Sequence, residues 1–463
     1  MIAQGPAGSR DTAGFVYRRD GILLRQVNAS YAAAFDQVAA SGCFEELAGA
    51  GLLVPHEIAP QEMAATDHAH RILRPEPLPF VSYPYEWSFG QLRAAALLTL
   101  EIQRRALQRG VTLRDASAYN VQFRGTRPVF IDTLSLGPYA EGAPWVAYRQ
   151  FCEHFLAPLA LMAHRDVRLG RLHADFADGV PLDLASRMLG AMSWRRPSLL
   201  LHVHLHARAQ RRWADASSRG GNAARGVGRA ALLRLVEQLE QTVESLRWDP
   251  AGTTWADYEQ THGYSVEGSA SKERAVAELL AMVAPRTTWD LGANTGRFSR
   301  IAAGMGSEVV SIDGDPAAVE RAYRDLGRDG SSNVLPLLVD LLAPSARGGW
   351  AGEERQSLAD RGPSGMVLAL ALIHHLAFSG NIALPRIARW FAELGEHAIV
   401  EFVPFDDPQV RRLVAARTEA THGYDVASFE AAFAQWFTTV ARRPLQETGR
   451  VLYLFRRNAA VAR

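Results

Sequence analysis

Apolar residues along the chain follow two rhythms. In the first two hundred residues they are mixed. Phe15–Val27 alternates apolar and polar positions around Asp20-Gly21, which predicts a β-hairpin with a tight turn. Gly90–Gln108 (GQLRAAALLTLEIQRRALQ) repeats apolar residues at helical spacing and stops at Gly110, predicting an amphipathic helix. Short strands are expected at Val121–Phe123 and Val129–Ile131, joined through Gly125, then helices through Trp145–His164 and Pro181–Leu189. Arg208–Arg229 has almost nothing apolar and reads as a solvated linker or a loosely ordered helix end. Helical spacing resumes over Ala230–Leu246. From about Trp255 onward, short apolar runs (TTWDLG, EVVSID, NVLPLLVD, MVLALALI, HAIVEFV) alternate with helix-like stretches. That alternation predicts a parallel sheet with helices on its faces. The division expected is 1–205, a helical linker 206–254, and 255–463.

Composition narrows the function classes. The chain has 463 residues and a formal charge of +1, so no global positive field argues for a nucleic-acid partner. Cys43 and Cys152 are too few for a disulfide framework or a four-cysteine zinc module. The N-terminus lacks the apolar core of a signal peptide, and no apolar stretch approaches the ~20 residues of a membrane span, so a cytoplasmic protein is expected. Lys272 is the only lysine among the 50 Lys and Arg residues, which leaves amine chemistry a single candidate; a solvated position on a helix is its expected role.

The most informative run is Thr287–Arg300, TTWDLGANTGRFSR, followed by EVVSIDGDP at Glu308–Pro316. A strand is expected to end at Asp290, with a turn from Gly292 to Gly296 and a helix starting near Arg297. Glycines there let the backbone approach a ligand. The next strand ends at Asp313, where a carboxylate can accept both ribose hydroxyls. A dinucleotide fold wants three glycines for a pyrophosphate; here there are two, preceded by an acid that would repel a pyrophosphate but complement an ammonium group. The sequence therefore resembles the class I S-adenosylmethionine-dependent methyltransferases. The resemblance implies a Rossmann-like seven-stranded sheet and S-adenosylmethionine as cofactor. It places Asp290, Gly292, Asn294 and Gly296 in the first motif, with Asp313 on the ribose and Asp340 near the adenine. Phe298, Asp315 and Leu370 would add to the same site, and Tyr258 and Tyr264, with Trp255, to a lid over the sulfonium. The fourth strand, expected over Met366–Ile373, leads into His374-His375; either histidine could take a proton from the acceptor. Glu401 is expected to orient the acceptor or, more simply, to cap a loop.

A second run, Thr112–Leu134 (TLRDASAYNVQFRGTRPVFIDTL), spaces Asp115, Asn120 and Asp132 as in the catalytic loop of protein-kinase-like folds. There an Asp positions the acceptor hydroxyl, while an Asn and a second Asp hold magnesium. Asn120 and Asp132 would be the metal ligands, and Mg-ATP the cofactor, if such a site were active. The departures are large: no lysine exists in this half, Arg25 is the only stand-in, no glycine-rich phosphate loop appears, and Thr133-Leu134 follow Asp132. A degenerate kinase-like α+β domain is the expectation. His202, His204 and His206 (LHVHLHA) could line a strand face around a metal, but helix continuation is the simpler reading.

FVSYPYEWSF, LRDASAYNVQF, RPVFIDTLS, WVAYRQFCEHFLAPLALMA, WDLGANTGRFSR, LALALIHHLAF and VEFVPFDDP together resemble a bacterial family of nodulation-protein-like S-adenosylmethionine-dependent methyltransferases. The expectation is methyl transfer to an oxygen or nitrogen of a glycan, small molecule or protein, with the N-terminal part binding substrate or partner. The rival readings are a bifunctional kinase-methyltransferase and a non-catalytic sensor of S-adenosylmethionine.

Overall fold

The computed structural model describes residues 2–4, 11–205, 228–251, 266–414, 423–446 and 448–459. They form two compact units, Met1–Asp249 with Gly348–Arg355, and Pro250–Arg347 with Gln356–Arg463.

The first unit opens with an antiparallel sheet of β1 (Ile2–Gln4), β2 (Gly14–Arg19), β3 (Ile22–Asn28), β4 (His56–Ala59) and β5 (Ala69–Pro75) in the order β1-β2-β3-β5-β4. The β2–β3 hairpin turns at Asp20 (φ 51°) and Gly21 (φ 81°), left-handed values that Asp tolerates and Gly adopts freely. Helices Ala32–Ala40 and Cys43–Gly49 lie between β3 and β4 in sequence. Helix Phe89–Gln108 is started by a reciprocal Ser88–Gln91 capping box and buries Leu92, Ala95, Ala96, Leu100 and Ile102. The pair β6 (Val111–Leu113) and β9 (Leu136–Pro138) and the hairpin β7 (Val121–Arg124)–β8 (Arg127–Phe130) follow. Helix Arg229–Ser245, inside the segment read as a linker, buries Leu232, Val236, Leu239 and Val243, and its last turn accepts hydrogen bonds from Arg93. Leu200–Leu205 is helical rather than extended, so His202 and His204 do not share a strand face; His206 lies outside the described residues.

The second unit is built on β10 (Thr287–Leu291), β11 (Glu308–Asp313), β12 (Val334–Leu338), β13 (Ser364–Ala369), β14 (Gly395–Phe402), β15 (Phe437–Pro444) and β16 (Val451–Arg457). They form one seven-stranded sheet, β12-β11-β10-β13-β14-β16-β15, with β10 to β14 parallel and β16 antiparallel between β14 and β15. Numbered within the unit the order is 3-2-1-4-5-7-6. Continuous apolar runs are what parallel strands buried on both faces require. Helix Val266–Val283 contributes Val276, Leu279 and Leu280 to a core with Met366, Leu368 and Ile399. Order reverses between β10 and β13, so ligands are expected at the carboxyl ends of these two strands.

The fourth strand ends at Ala369, not Ile373; the chain turns through Ala371 (φ 51°), and His374 sits at the head of the helical turn His375–Ser379. The apolar run hid this boundary, because Leu370, Leu372 and Ile373 stay buried after the strand has ended. Among the described residues no helix is long and apolar enough to cross a membrane.

Candidate active site at the strand tips

The glycine turn is held in place by the next strand. Gly292 and Ala293 both donate to the Ile312 carbonyl (2.8 and 2.9 Å), and the Asn294 amide donates to Asp313 Oδ2 (2.8 Å). Three residues take left-handed backbone, Gly292 (φ 71°), Asn294 (φ 52°) and Gly296 (φ 81°), and Gly296 opens helix Arg297–Gly304. Asn is among the few residues that tolerate this region. A Cβ on Gly292 would meet the Leu372 side chain at 3.2 Å.

Asp290, on β10 one residue before its end, is 2% exposed and accepts from Ser299 Oγ (2.7 Å). Burial pushes its pKa up to about 6, and the neighbouring Asp313 carboxylate adds to the rise. Asp313 ends β11; Oδ1 accepts the Asp315 amide (2.8 Å) and Oδ2 the Asn294 amide, and burial raises its pKa as well. Asp340 lies two residues beyond β12, and its Oδ1 accepts the Leu342 amide (2.9 Å). Gly314 connects the tips, for a Cβ there would come within 3.8 Å of Asp340 Cα.

Asp315 caps helix Pro316–Arg328 through the Ala317 and Ala318 amides (2.8 and 3.3 Å). Leu370 belongs to the hydrophobic core, and Phe298 packs against it. Trp255, Tyr258 and Tyr264 lie outside the described residues.

His374 is 1% exposed, and neither ring nitrogen has a hydrogen-bond partner among the described residues. Burial holds its pKa well below 6.5; that of His375, whose ring centroid lies 4.2 Å away, falls to about 4 for the same reason. Glu401 does not cap a loop. It is fully buried on β14, bound to Lys272 Nζ (2.5 Å) and Arg450 Nη1 (3.2 Å), and Arg450 Nε reaches Asp407 Oδ2 (2.8 Å). Lys272 is therefore not solvated: it is buried, burial lowers its pKa against the pull of Glu401, and its Nζ lies 5.0 Å from the Phe298 ring centroid. The signal was present in the sequence. An acid within the apolar run VEFV has to be paired when that run is buried. Arg450, Asp407 and Tyr424 had no such marker.

In the first unit the structure brings Asp115, Asn120 and Asp132 together. Asp115 accepts the Ser117 amide (2.8 Å), and burial raises its pKa while Asn120 and Gln150 hydrogen bonds oppose the rise. Asp132 is ion-paired with Arg25 on β3 and also accepts the Leu134 amide (3.1 Å) and Ser135 Oγ (2.6 Å); Asn120 Nδ2 donates to the same Ser135 hydroxyl (3.1 Å). His204 is bracketed by Ser186 and Ser193 (2.7 and 2.9 Å), and His202 is bonded to Tyr148 (2.7 Å). No cluster of three His, Cys, Asp or Glu residues fit to hold a metal occurs among the described residues.

Whether the second unit suits a sulfonium nucleoside is decided by charge. Asp290 is buried beside the half-buried Asp313, whose carboxylate raises its cost of ionising, while Lys272 is bound to Glu401. A cation with hydroxyl groups beside it, over a turn made close by glycine, relieves that arrangement. Sheet order 3-2-1-4-5-7-6 with acids at successive strand tips is the fold of the class I S-adenosylmethionine-dependent methyltransferases. No family model matches the chain. It is 35% identical over 470 residues to nodulation protein NoeA of Rhizobium meliloti (strain 1021), spanning 99% of this chain and 98% of that protein, and it belongs to that family. A shorter likeness, 31% over 121 residues, is to the 23S rRNA (uracil(1939)-C(5))-methyltransferase RlmD of Shewanella sp. (strain MR-4), covering 25% of this chain and 27% of that one. Among solved structures, the N-methyltransferase NodS from Bradyrhizobium japonicum WM9 with S-adenosyl-L-homocysteine is similar over 44% of this chain and 99% of its own, at 15% identity and TM-score 0.33. The magnesium protoporphyrin IX methyltransferase ChlM from Synechocystis PCC 6803 is similar over 43% of this chain and 92% of its own, at 13% identity and TM-score 0.32.

Proposed function

We propose that the protein moves a methyl group from S-adenosylmethionine to an oxygen or nitrogen of a cytoplasmic acceptor, a glycan, small molecule or protein rather than a nucleic acid. The observation that carries this reading is the pair of Asp290, buried, and Asp313, half-buried, around the Gly292–Gly296 turn. S-adenosylmethionine supplies a methyl carbon already activated on a positive sulfur, which leaves the protein to bind, align and take up a proton. Asp290 offers its carboxylate to the donor's ammonium group. Asp313 uses one acceptor position on each oxygen for the backbone and keeps the others for ribose hydroxyls. Asp340 faces the adenine side. His374, kept neutral by burial, can accept the acceptor's proton, with His375 against it. Calorimetry with S-adenosylhomocysteine tests the site: wild type is expected to bind and Asp313→Ala to lose at least tenfold in affinity, whereas equal binding removes the assignment.

The first unit we assign as a kinase-like scaffold that binds acceptor or partner without phosphotransfer. Support comes from the antiparallel order β1-β2-β3-β5-β4, the long helix, and the β6–β9 pair and β7–β8 hairpin around Asp115–Asn120. Against Mg-ATP stands the Arg25–Asp132 ion pair, which puts a cation where magnesium would need a free carboxylate. A flat thermal-shift response to Mg-ATP is expected. A magnesium-dependent shift lost in Asp132→Ala would restore the bifunctional reading.

A further inference from the structure

Resting on the methyltransferase reading, we infer that the acceptor atom is the oxygen of an uncharged hydroxyl group, received between His374 and Tyr424. Both side chains are buried, at 1% and 7% exposure; neither His374 nitrogen has a hydrogen-bond partner among the described residues, and the Tyr424 hydroxyl, which takes the Val403 amide, has no acceptor for its own proton among them. A buried polar group left without its bond is costly, and a ligand supplying the missing bonds removes that cost. The two belong to one locality. Phe378, one turn after His374, has its ring centroid 4.6 Å from that of Tyr424, and Glu401 and Arg450 lie close enough to bias the charge of both groups. Tyr424 also stacks on Phe402 at 5.3 Å.

The charges beside them select the chemistry. Lys272 and Arg450 are paired with Glu401, and Arg450 also with Asp407, so two cations and two anions balance. An amine acceptor arrives as an ammonium ion and needs a carboxylate not already bound; both here are bound. A carboxylate or phosphate acceptor needs a cation in reserve, and both cations are committed. A hydroxyl needs neither. Its proton can go to an imidazole and its lone pairs can accept from Tyr424. Phe405, 45% exposed with its centroid 6.1 Å from Phe378, adds an apolar face beside these groups for the carbon skeleton that carries the hydroxyl.

In the transfer the hydroxyl oxygen forms the new O–CH3 bond as the S–CH3 bond breaks. The electrons of the broken bond leave with sulfur, giving neutral S-adenosylhomocysteine, and the hydroxyl proton passes to the His374 imidazole. Burial keeps that ring neutral and its lone pair available.

The full-length protein is incubated with tritiated S-adenosylmethionine and a bacterial extract, and the labelled product is divided. One part is treated with alkali, which frees the methyl of an ester as volatile methanol. The other is hydrolysed in acid and passed over a cation exchanger, which retains methylated amines. Label that is neither volatile nor retained is expected, as a methyl ether; its migration as a methyl sugar or an aryl ether then names the carrier. Volatile or retained label overturns the hydroxyl assignment and leaves the methyltransferase reading intact, whereas no incorporation into any fraction overturns both. His374→Asn is expected to lose about 100-fold or more in incorporation and Tyr424→Phe about tenfold, with S-adenosylhomocysteine affinity kept within about twofold. A matching loss of affinity in both variants would put these side chains on the donor side and refute the assignment.

Discussion

Replacing Asp290 with Asn should make the ligand-free protein more stable and the enzyme worse. Its carboxyl has a pKa of about 6 in the fold, against an ordinary value of 3.8. A difference of about two units corresponds to ~3 kcal/mol. The sign follows from linkage: an acid whose pKa is raised by folding contributes its full stability below about pH 4 and loses it as pH climbs through about 6. At about pH 8 the wild-type protein therefore carries up to ~3 kcal/mol of ionisation cost that Asn lacks, and at about pH 4 the two should be nearly equal. Asn keeps an oxygen for the Ser299 hydroxyl, so the packing is preserved. What it loses is the charge toward the donor's ammonium, about 1.5–3 kcal/mol, or roughly 10- to 150-fold in affinity. Urea denaturation of the full chain, followed through the transition that S-adenosylhomocysteine shifts, measures the first effect, and calorimetry measures the second. A variant no more stable at about pH 8 than at about pH 4, relative to wild type, would refute the burial argument; unchanged affinity would refute the site.

Other perturbations follow from the same geometry. Lys272→Met should cost about 3–5 kcal/mol by stripping buried Glu401 of one partner, and a Lys272→Met/Glu401→Gln double variant should recover much of it in denaturation; a single-variant loss near zero would show that the pair is not desolvated. Gly292→Ala should cost about 1–2 kcal/mol and weaken S-adenosylhomocysteine binding, since the φ of 71° and the 3.2 Å approach to Leu372 both oppose a Cβ; unchanged calorimetry would argue that the turn is not a ligand wall. Arg25→Ala should lower stability by about 1–3 kcal/mol, because Asp132 is partly buried and keeps only neutral donors; an unchanged thermal midpoint would mean that the ion pair contributes nothing.

Much of the second unit was legible in the chain. The apolar runs marked β10 to β14 because parallel strands buried on both faces cannot hide their composition, and the glycines and acids fell at their carboxyl ends because only there does the backbone turn toward a ligand. The end of β13 was not legible, since the strand stops at Ala369 while the apolar, buried run continues through Leu370, Leu372 and Ile373 into a helical turn. That Asp315 caps the following helix was not legible either, since the same carboxylate chemistry suits a cap and a ligand site alike.

What the sequence determined by itself is whatever depends on local order: the hairpin at Asp20-Gly21, the helix Phe89–Gln108, the glycine turn, and the spacing of Asp115, Asn120 and Asp132. Tertiary structure alone decided which distant charges meet. Lys272, Glu401, Asp407 and Arg450 are drawn from a helix, a strand, a loop and a hairpin, and Arg25 finds Asp132 across more than a hundred residues. No periodicity encodes such pairs, because their energy comes from being removed from water together, and that happens only when the whole unit has closed around them.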